Sequence, residues 1–219
     1  MFERYITVLQ TDDARTEDVA ATRERLKEKF PRGATRRMTQ LGMLLGGVLQ
    51  PIEITEEDAL VYATEFAETR ALEGYLESFP AASPTLFQTS IHPSGVQQLL
   101  IGKQQRVREF FPMTGRAHLV AQALQTALLC PSPRAILCGG EECASWLLHG
   151  CAASPRAFAF ALGLSRHTDG ALARLTLGLG PATSGGGELS LSEFFDALQQ
   201  RRALALAPAP GMWLTLSWS

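Results

Sequence analysis

The fold of this protein is decided by the stretch AHLVAQALQTALL (117–129), which is followed closely by RAILC (134–138) and GGEE (139–142). The first segment is rich in Ala and Leu and predicts a helix, and the second, short and apolar, predicts a buried strand. Two glycines and two glutamates follow directly at the carboxyl end of that strand. Helices that alternate with buried strands are typical of α/β proteins with parallel sheets.

The same alternation continues in both directions along the chain. Strands are predicted at 4–9, 59–63, 107–113, 157–164, 173–179 and 212–218, and further helices at 16–30, 36–45, 68–79, 96–101 and 190–202. The strands at 157 and 173 follow one another with no helix between them. We therefore expect an α/β fold in which a mixed, mostly parallel sheet is covered by helices and has an antiparallel end. No repeat and no linker divides the sequence, so 1–219 is interpreted as one domain.

The composition excludes several classes of protein. Hydrophobic residues make up 46% of the 219 residues and charged residues 19%, so the chain can bury a core and is not disordered. Its 20 basic and 22 acidic residues give a net charge of -2, which argues against nucleic-acid binding. The N-terminus lacks a secretory signal, and no run of about 18–20 apolar residues could span a membrane. These features, with four cysteines expected to be reduced, predict a cytoplasmic protein.

Motifs for nucleotide binding and for serine hydrolysis are absent from the sequence. It contains no GxGxxG, no P-loop and no GxSxG. The three glycines at 185–187 precede Glu188 rather than a basic residue, and we interpret them as a flexible surface loop. We expect no cofactor.

Soft metal ligands are concentrated in one segment, which contains Cys130, Cys138, Cys143, His149 and Cys151. Zinc ligands usually come in closely spaced pairs on turns, whereas Cys138 falls in a predicted buried strand and Cys130 at a helix end. Only the last three residues of the group could converge. We expect no metal site, since buried free cysteine behaves as a small hydrophobic residue.

Acid–base residues offer a weaker signal. Glu141 and Glu142 follow a strand end, where functional groups of α/β proteins gather, but adjacent side chains usually point in different directions. A working pair of these carboxyls is therefore not expected. His92 follows a proline-rich loop and is interpreted as a hydrogen-bonded turn histidine, with a catalytic role as the alternative.

The stretch SPTLFQTSIHP (83–93) resembles the SPxxFxxSVHN stretch of β-ketoacyl synthase-like proteins, in particular their short N-terminal-domain family. The matching residues are Ser83, Pro84, Phe87, Ser90 and His92, and Pro93 stands where the family has Asn. The segment 117–142 resembles the ketosynthase segment that ends in a GGxE-type signature, matched by Gly139, Gly140 and Glu142. RRM at 36–38 is similar to a motif before an early helix of that family. The resemblance covers about residues 35–219.

The resemblance implies a thiolase-like fold, in which a ketosynthase consists of two similar halves, each a five-stranded sheet covered by helices. The first half carries a nucleophilic Cys on a strand-to-helix turn, and the second carries two histidines. In this sequence the matching turn holds Thr114, Gly115 and Arg116 but no Cys, and 219 residues correspond to about one half. We therefore expect no catalytic residues, with Thr114 activated by His118 as the alternative.

These departures predict a non-catalytic ketosynthase-like protein in fatty-acid-, polyketide- or polyene-type biosynthesis. It would act as a scaffold, a chain-length-type partner or an acyl binder, paired with itself or with a full-length ketosynthase, and with an acyl carrier protein as a further partner. One alternative is an acyl transferase or hydrolase that uses Thr114 and His118. Another is a self-associating structural protein with no acyl ligand.

Two apolar stretches, 107–113 and 143–160, are candidates for a surface between chains. A lone half of a ketosynthase would expose surface that its relatives bury, and an unpaired apolar strand edge promotes aggregation unless it is covered. The alternative is that these residues fill the core of their own chain.

Overall fold

The computed structural model describes residues 1–180 and 188–219. Its strands are β1 Phe2–Asp13, β2 Ala59–Thr64, β3 Glu109–Thr114, β4 Arg134–Glu141, β5 Phe158–Ser165, β6 Ala173–Leu179, β7 Leu204–Leu206 and β8 Met212–Trp218. Its helices are α1 Val19–Leu26, α2 Gln40–Leu49, α3 Thr69–Glu77, α4 Pro84–Ser90, α5 Ser94–Gly102, α6 Leu119–Leu129, α7 Trp146–His149 and α8 Leu191–Gln199. Two 3₁₀ turns, Lys27–Lys29 and Ala34–Arg37, lie between α1 and α2. The predicted loop at 185–187 falls outside the described residues.

The strands form a single sheet in the order β3-β2-β4-β5-β1-β6-β8-β7. The predicted α/β class is confirmed, but the sheet differs from the expected one in two respects. It has eight strands rather than five in the described part of the chain, and only β3–β2 and β2–β4 pair in parallel. Two strands can pair in parallel only if a long crossover connects them. The crossovers between β2, β3 and β4 contain α3–α5 and α6. All other neighbouring strands pair antiparallel, so the sheet is mixed but not mostly parallel.

The core lies on both faces of the sheet. On one face, Val61 of β2 and Leu137 of β4 pack with α6 and α8. On the opposite face, Leu60 and Ile136 of the same strands pack with α1, α2 and α5. Side chains alternate along a strand, so a strand that is buried on both faces reads as a continuous apolar run. This is why β2 was predictable from ALVYA at 59–63.

Helix α4 replaces the loop that the sequence predicted around Pro80 and Pro84. Pro84 occupies the first turn of the helix, where its missing N–H costs nothing. The Ser83 hydroxyl accepts a hydrogen bond from the Leu86 amide and caps the helix. Proline here begins a helix rather than preventing one.

A fully buried arginine ties β1 to the end of α6. Within the described part of the chain, the Arg4 guanidinium donates only to uncharged partners, mainly backbone carbonyls, with no carboxylate among them. These carbonyls belong to Leu128, Cys130, Ser132, Pro133 and Leu164. Burial lowers the pKa of Arg4, and the carbonyls at the helix C-terminus compensate part of its lost hydration.

The two predicted surface stretches have different locations. Strand β3 is an edge of the sheet, and its residues are half-buried or exposed. In 143–160, by contrast, Phe158 and Phe160 are completely buried in the central strand β5. The prediction of an intermolecular surface over that whole stretch is therefore wrong, because its largest aromatic residues fill the chain's own core. Within 143–160, the exposed large apolar residues are Trp146 and Leu148 of α7.

Candidate functional site

The candidate site lies at the carboxyl ends of the three parallel strands β3, β2 and β4. Thr64 of β2 is in register with Thr114 of β3, and β4 ends beside them at Glu141. The amide of Gly115 donates to the carbonyl of Thr64 at 3.4 Å. The strand-to-helix turn identified in the sequence analysis therefore lies at this edge of the sheet, where the ligand-binding and catalytic groups of α/β proteins are usually found.

The residues of this turn do not form a nucleophile–base pair. Thr114 is exposed, and no hydrogen bond joins its hydroxyl to His118, although the structure describes both residues. The His118 imidazole lies instead 3.6 Å from a carboxylate oxygen of Glu188. The Arg116 guanidinium lies 5.1 Å above the ring of Phe66. An alcohol becomes a nucleophile only with a base in hydrogen-bond reach, which this geometry does not provide.

Glu141 brings a buried carboxyl to the same edge. One oxygen accepts hydrogen bonds from the Thr64 hydroxyl at 3.0 Å and from the amide of Glu65, while the other is buried with no hydrogen-bond partner in residues 1–180 and 188–219. Burial raises the pKa of the Glu141 carboxyl to about 8. At neutral pH this group therefore holds a proton that an exposed glutamate would have released.

Glu142 is directed to a different set of donors. Its carboxyl accepts from the amide of Leu41 at 3.0 Å and from the amide of Arg70 at 2.8 Å. These amides belong to the first turns of α2 and α3, whose unpaired N–H groups favour an acceptor. Burial raises the pKa of Glu142 to about 7. The two adjacent glutamates therefore do not act as a pair, and Glu142 joins two helices to the end of β4.

The two glycines before these glutamates allow close packing of the sheet. A Cβ on Gly139 would lie 2.4 Å from the carbonyl oxygen of Ala63, and one on Gly140 would lie 2.2 Å from that of Phe158. No side chain fits at either position unless the strands move apart. Gly139, Gly140 and Glu142 thus have structural roles in this chain.

The motif at 83–93 forms α4 and the turn that follows it. Phe87 packs on Tyr75 of α3 with ring centroids 5.3 Å apart, and the Ser90 hydroxyl donates to the Phe87 carbonyl at 2.8 Å. Together with the Ser83 cap and Pro84, these contacts fix the helix against α3. Four of the five motif residues have local structural roles.

His92 is the exception, because it belongs to a buried polar cluster with Tyr62 and Glu68. Its ring stacks on Tyr62 at 4.9 Å, and Nδ1 lies 3.6 Å from one oxygen of Glu68. The other Glu68 oxygen accepts from the amide of Gly95 at 2.9 Å and from the Tyr62 hydroxyl at 3.4 Å. Both ring nitrogens of His92 are buried without a hydrogen-bond partner among the described residues, so the prediction of a hydrogen-bonded turn histidine is wrong.

The same cluster raises the pKa of Tyr62 well above its usual value, first through burial and then through the charge of Glu68. Sequence reasoning did not identify Glu68 as a site residue. The available signal was its position shortly after the carboxyl end of the buried strand β2, the same signal that pointed to Glu141 at the end of β4.

Comparison with solved structures identifies the fold, whereas no family model and no curated protein matches the sequence. The chain is similar to one in the structure of the ketosynthase ApeO in complex with its chain length factor ApeC from Xenorhabdus doucetiae, with 17% identity, a TM-score of 0.66, and 99% of this chain and 100% of that one covered. It is also similar to the ishigamide ketosynthase/chain length factor, with 12% identity, a TM-score of 0.62, and 82% and 68% covered. The fold is ketosynthase-like. The thiolase-like class predicted from the sequence is thereby confirmed.

None of the four cysteines belongs to the turn after β3. Cys130 and Cys138 are buried, Cys143 is half-buried and Cys151 is exposed. Burial raises the pKa of the Cys138 thiol and of the Cys130 thiol, so neither is a thiolate at neutral pH.

Two further findings concern metals and membranes. Among the described residues, no three His, Cys, Asp or Glu side chains are grouped closely enough to hold a metal ion. No described helix is long and apolar enough to span a bilayer.

Proposed function

We propose that this chain is a non-catalytic ketosynthase-like protein that acts as the partner of a complete ketosynthase in fatty-acid-, polyketide- or polyene-type biosynthesis. The observation that carries the proposal is the turn after β3. It holds Thr114, Gly115 and Arg116, and neither a cysteine nor a base in hydrogen-bond reach is present there. A condensing enzyme needs an activated nucleophile at this position. The chain would therefore contribute a structural surface to the complex and no catalytic residue.

The comparison with the ApeO–ApeC complex supports a role as a partner. That structure pairs a ketosynthase with its chain length factor, and the chain matched in it is covered completely by this one. Every part of that chain therefore has a counterpart in residues 1–219. We propose that residues 1–219 likewise form one domain that pairs with a ketosynthase, which receives its substrates from an acyl carrier protein.

The free edge of the sheet supports pairing through β3. Phe110, Phe111 and Met113 are only half-buried on this edge strand, and Pro112 is exposed. An open cleft of about 510 Å³ between β3 and α6 is lined by Phe111, Met113 and Leu129, among others. Proteins normally cover an apolar strand edge, and a second chain would cover this one.

Incubation with malonyl- and acyl-thioesters tests the absence of chemistry. We expect the purified chain to form no carbon–carbon bond and no acyl adduct, and Thr114→Cys to remain inactive because residues 1–219 contain no counterpart of the two-histidine half. Added to a complete ketosynthase from the same organism, the chain should change the rate or the length distribution of the products. Condensation by the chain alone would overturn the proposal. An acyl adduct that Thr114→Ala abolishes would support an acyl transferase or hydrolase instead.

A further inference from the structure

Two adjoining cavities lie on the outer side of α2 and α5, away from β3 and α6. Their volumes are about 180 and 220 Å³, and both are lined by Gly46, Gln50, Leu99 and Lys103. Helices α2 and α5 cover one face of the sheet, whereas α6 covers the other. These cavities are therefore separate from the cleft between β3 and α6.

Gly46 allows the two cavities to exist. A Cβ at this position would lie 2.5 Å from the ring of Phe30 and 2.9 Å from a methyl group of Leu99. The phenyl ring thus rests directly on the backbone of α2 and forms a wall of the smaller cavity. Phe30 is itself half-buried and packs against the edge of the core on this face, so part of the ring remains exposed at the cavity.

The lining of the smaller cavity combines an apolar interior with a cationic entrance. Its apolar residues are Phe30, Pro31, Ala34, Met38 and Leu99. Lys29 and Lys103 complete the lining together with glutamine and glycine, and no aspartate or glutamate is among them. Neither lysine forms an ion pair within the described residues. By contrast, Lys27, on the same 3₁₀ turn as Lys29, pairs with Glu24.

We propose that the smaller cavity binds a medium-chain fatty carboxylate, with the alkyl chain against Phe30 and Leu99 and the carboxylate between Lys29 and Lys103. A cavity of about 180 Å³ lies below the roughly 300–1,000 Å³ of drug-sized pockets, so it has room for only one small ligand, and its apolar lining suits an alkyl chain. Two unpaired cations at the entrance complement one anionic head group. The proposal concerns the isolated chain and does not depend on its pairing with a ketosynthase.

Titration calorimetry of the full chain with decanoate, below its critical micelle concentration, tests this site. We expect saturable binding of one decanoate per chain. Decanol, which lacks the charge, should bind at least fivefold more weakly, and Lys103→Gln and Lys29→Gln should each weaken decanoate binding at least threefold. Ala34→Leu, which fills the cavity, should weaken it at least tenfold while circular dichroism shows an unchanged fold.

Lys27→Gln is the matched control, because it removes a neighbouring lysine that does not line the cavity. It should change the affinity by less than twofold. The proposal is wrong if decanoate does not bind, if it binds at many equivalent sites, or if Lys27→Gln weakens binding as much as Lys29→Gln. Unchanged affinity in both Lys103→Gln and a folded Ala34→Leu variant would also overturn it.

Discussion

Glu141 holds a proton in the folded protein that it would lose in the unfolded chain at neutral pH. Its pKa is raised to about 8 by burial, from an ordinary value near 4.5. The folded state therefore binds more protons than the unfolded state between these values. Stability contributed by this group is complete below about pH 4.5 and is lost progressively as the pH rises to about 8.

The variant Glu141→Gln tests this linkage. The amide keeps an acceptor for Thr64 and Glu65 but does not titrate. We expect its free energy of unfolding, relative to that of the wild type, to increase between pH 5 and pH 8.5 in urea titrations. Glu56→Gln, at an exposed position, should follow the wild-type profile. If the free energies of unfolding of the wild type and of Glu141→Gln change with pH in parallel, the buried carboxyl does not titrate as described.

The four thiols should differ widely in reactivity. Cys151 is exposed, whereas Cys130 and Cys138 are buried and their pKa values are raised by burial. We expect iodoacetamide to label Cys151 first in the folded protein and to label Cys130 and Cys138 only slowly, as followed by mass spectrometry. All four should react quickly in denaturant. Rapid, selective labelling of Cys130 or Cys138 in the folded state would contradict the packing of α6 and β4.

At the scale of elements, Glu142 holds two helix N-termini against the sheet. Glu142→Ala would leave the buried amide of Leu41 and the partly buried amide of Arg70 without their acceptor. A lost buried partner costs about 1–3 kcal/mol, so we expect the free energy of unfolding to fall by about 2–4 kcal/mol in denaturant titrations. Glu142→Gln retains an acceptor and should cost less. Equal losses for the two variants would mean that these hydrogen bonds do not account for the effect.

A second prediction at the scale of elements follows from the close approach of β4 and β5. Gly140→Ala places a Cβ 2.2 Å from the carbonyl oxygen of Phe158, so we expect the melting temperature to fall markedly, with a loss of about 1–3 kcal/mol or more. Gly102→Ala is the control, because a Cβ there meets no atom within 4 Å. It should be neutral or slightly stabilising. A stable Gly140→Ala protein would contradict the strand spacing.

The elements that the sequence predicted well are those with local signals. Strand β2 and helix α6 matched their apolar runs closely, and the helix predicted from residue 190 begins where Ser190 caps α8. Helix α4 was missed because proline was interpreted as a breaker. The partners of His92 were missed because Tyr62 and Glu68 are distant from it in sequence. The order of the strands in the sheet was missed for the same reason, since it depends on contacts between distant parts of the chain.

At the scale of the whole molecule, the sheet has two unequal edges. β3 presents half-buried aromatic residues, whereas β7 is a three-residue strand at the other end. Pro112 in β3 has no N–H to donate, so an added strand could form only an interrupted ladder there. We therefore expect side chains, with Phe110, Phe111 and Met113 among them, to supply much of the contact with a second chain.

Light scattering coupled to size-exclusion chromatography at micromolar concentration tests the central claim of pairing through β3. We predict that the wild-type chain forms a dimer or a complex with a complete ketosynthase from the same organism. Pro112→Asp, which removes no backbone hydrogen bond, should shift it to monomer. Ala205→Asp, a matched exposed change on β7, should not. A wild-type chain that stays monomeric and binds no ketosynthase, or identical behaviour of the two variants, would contradict this account.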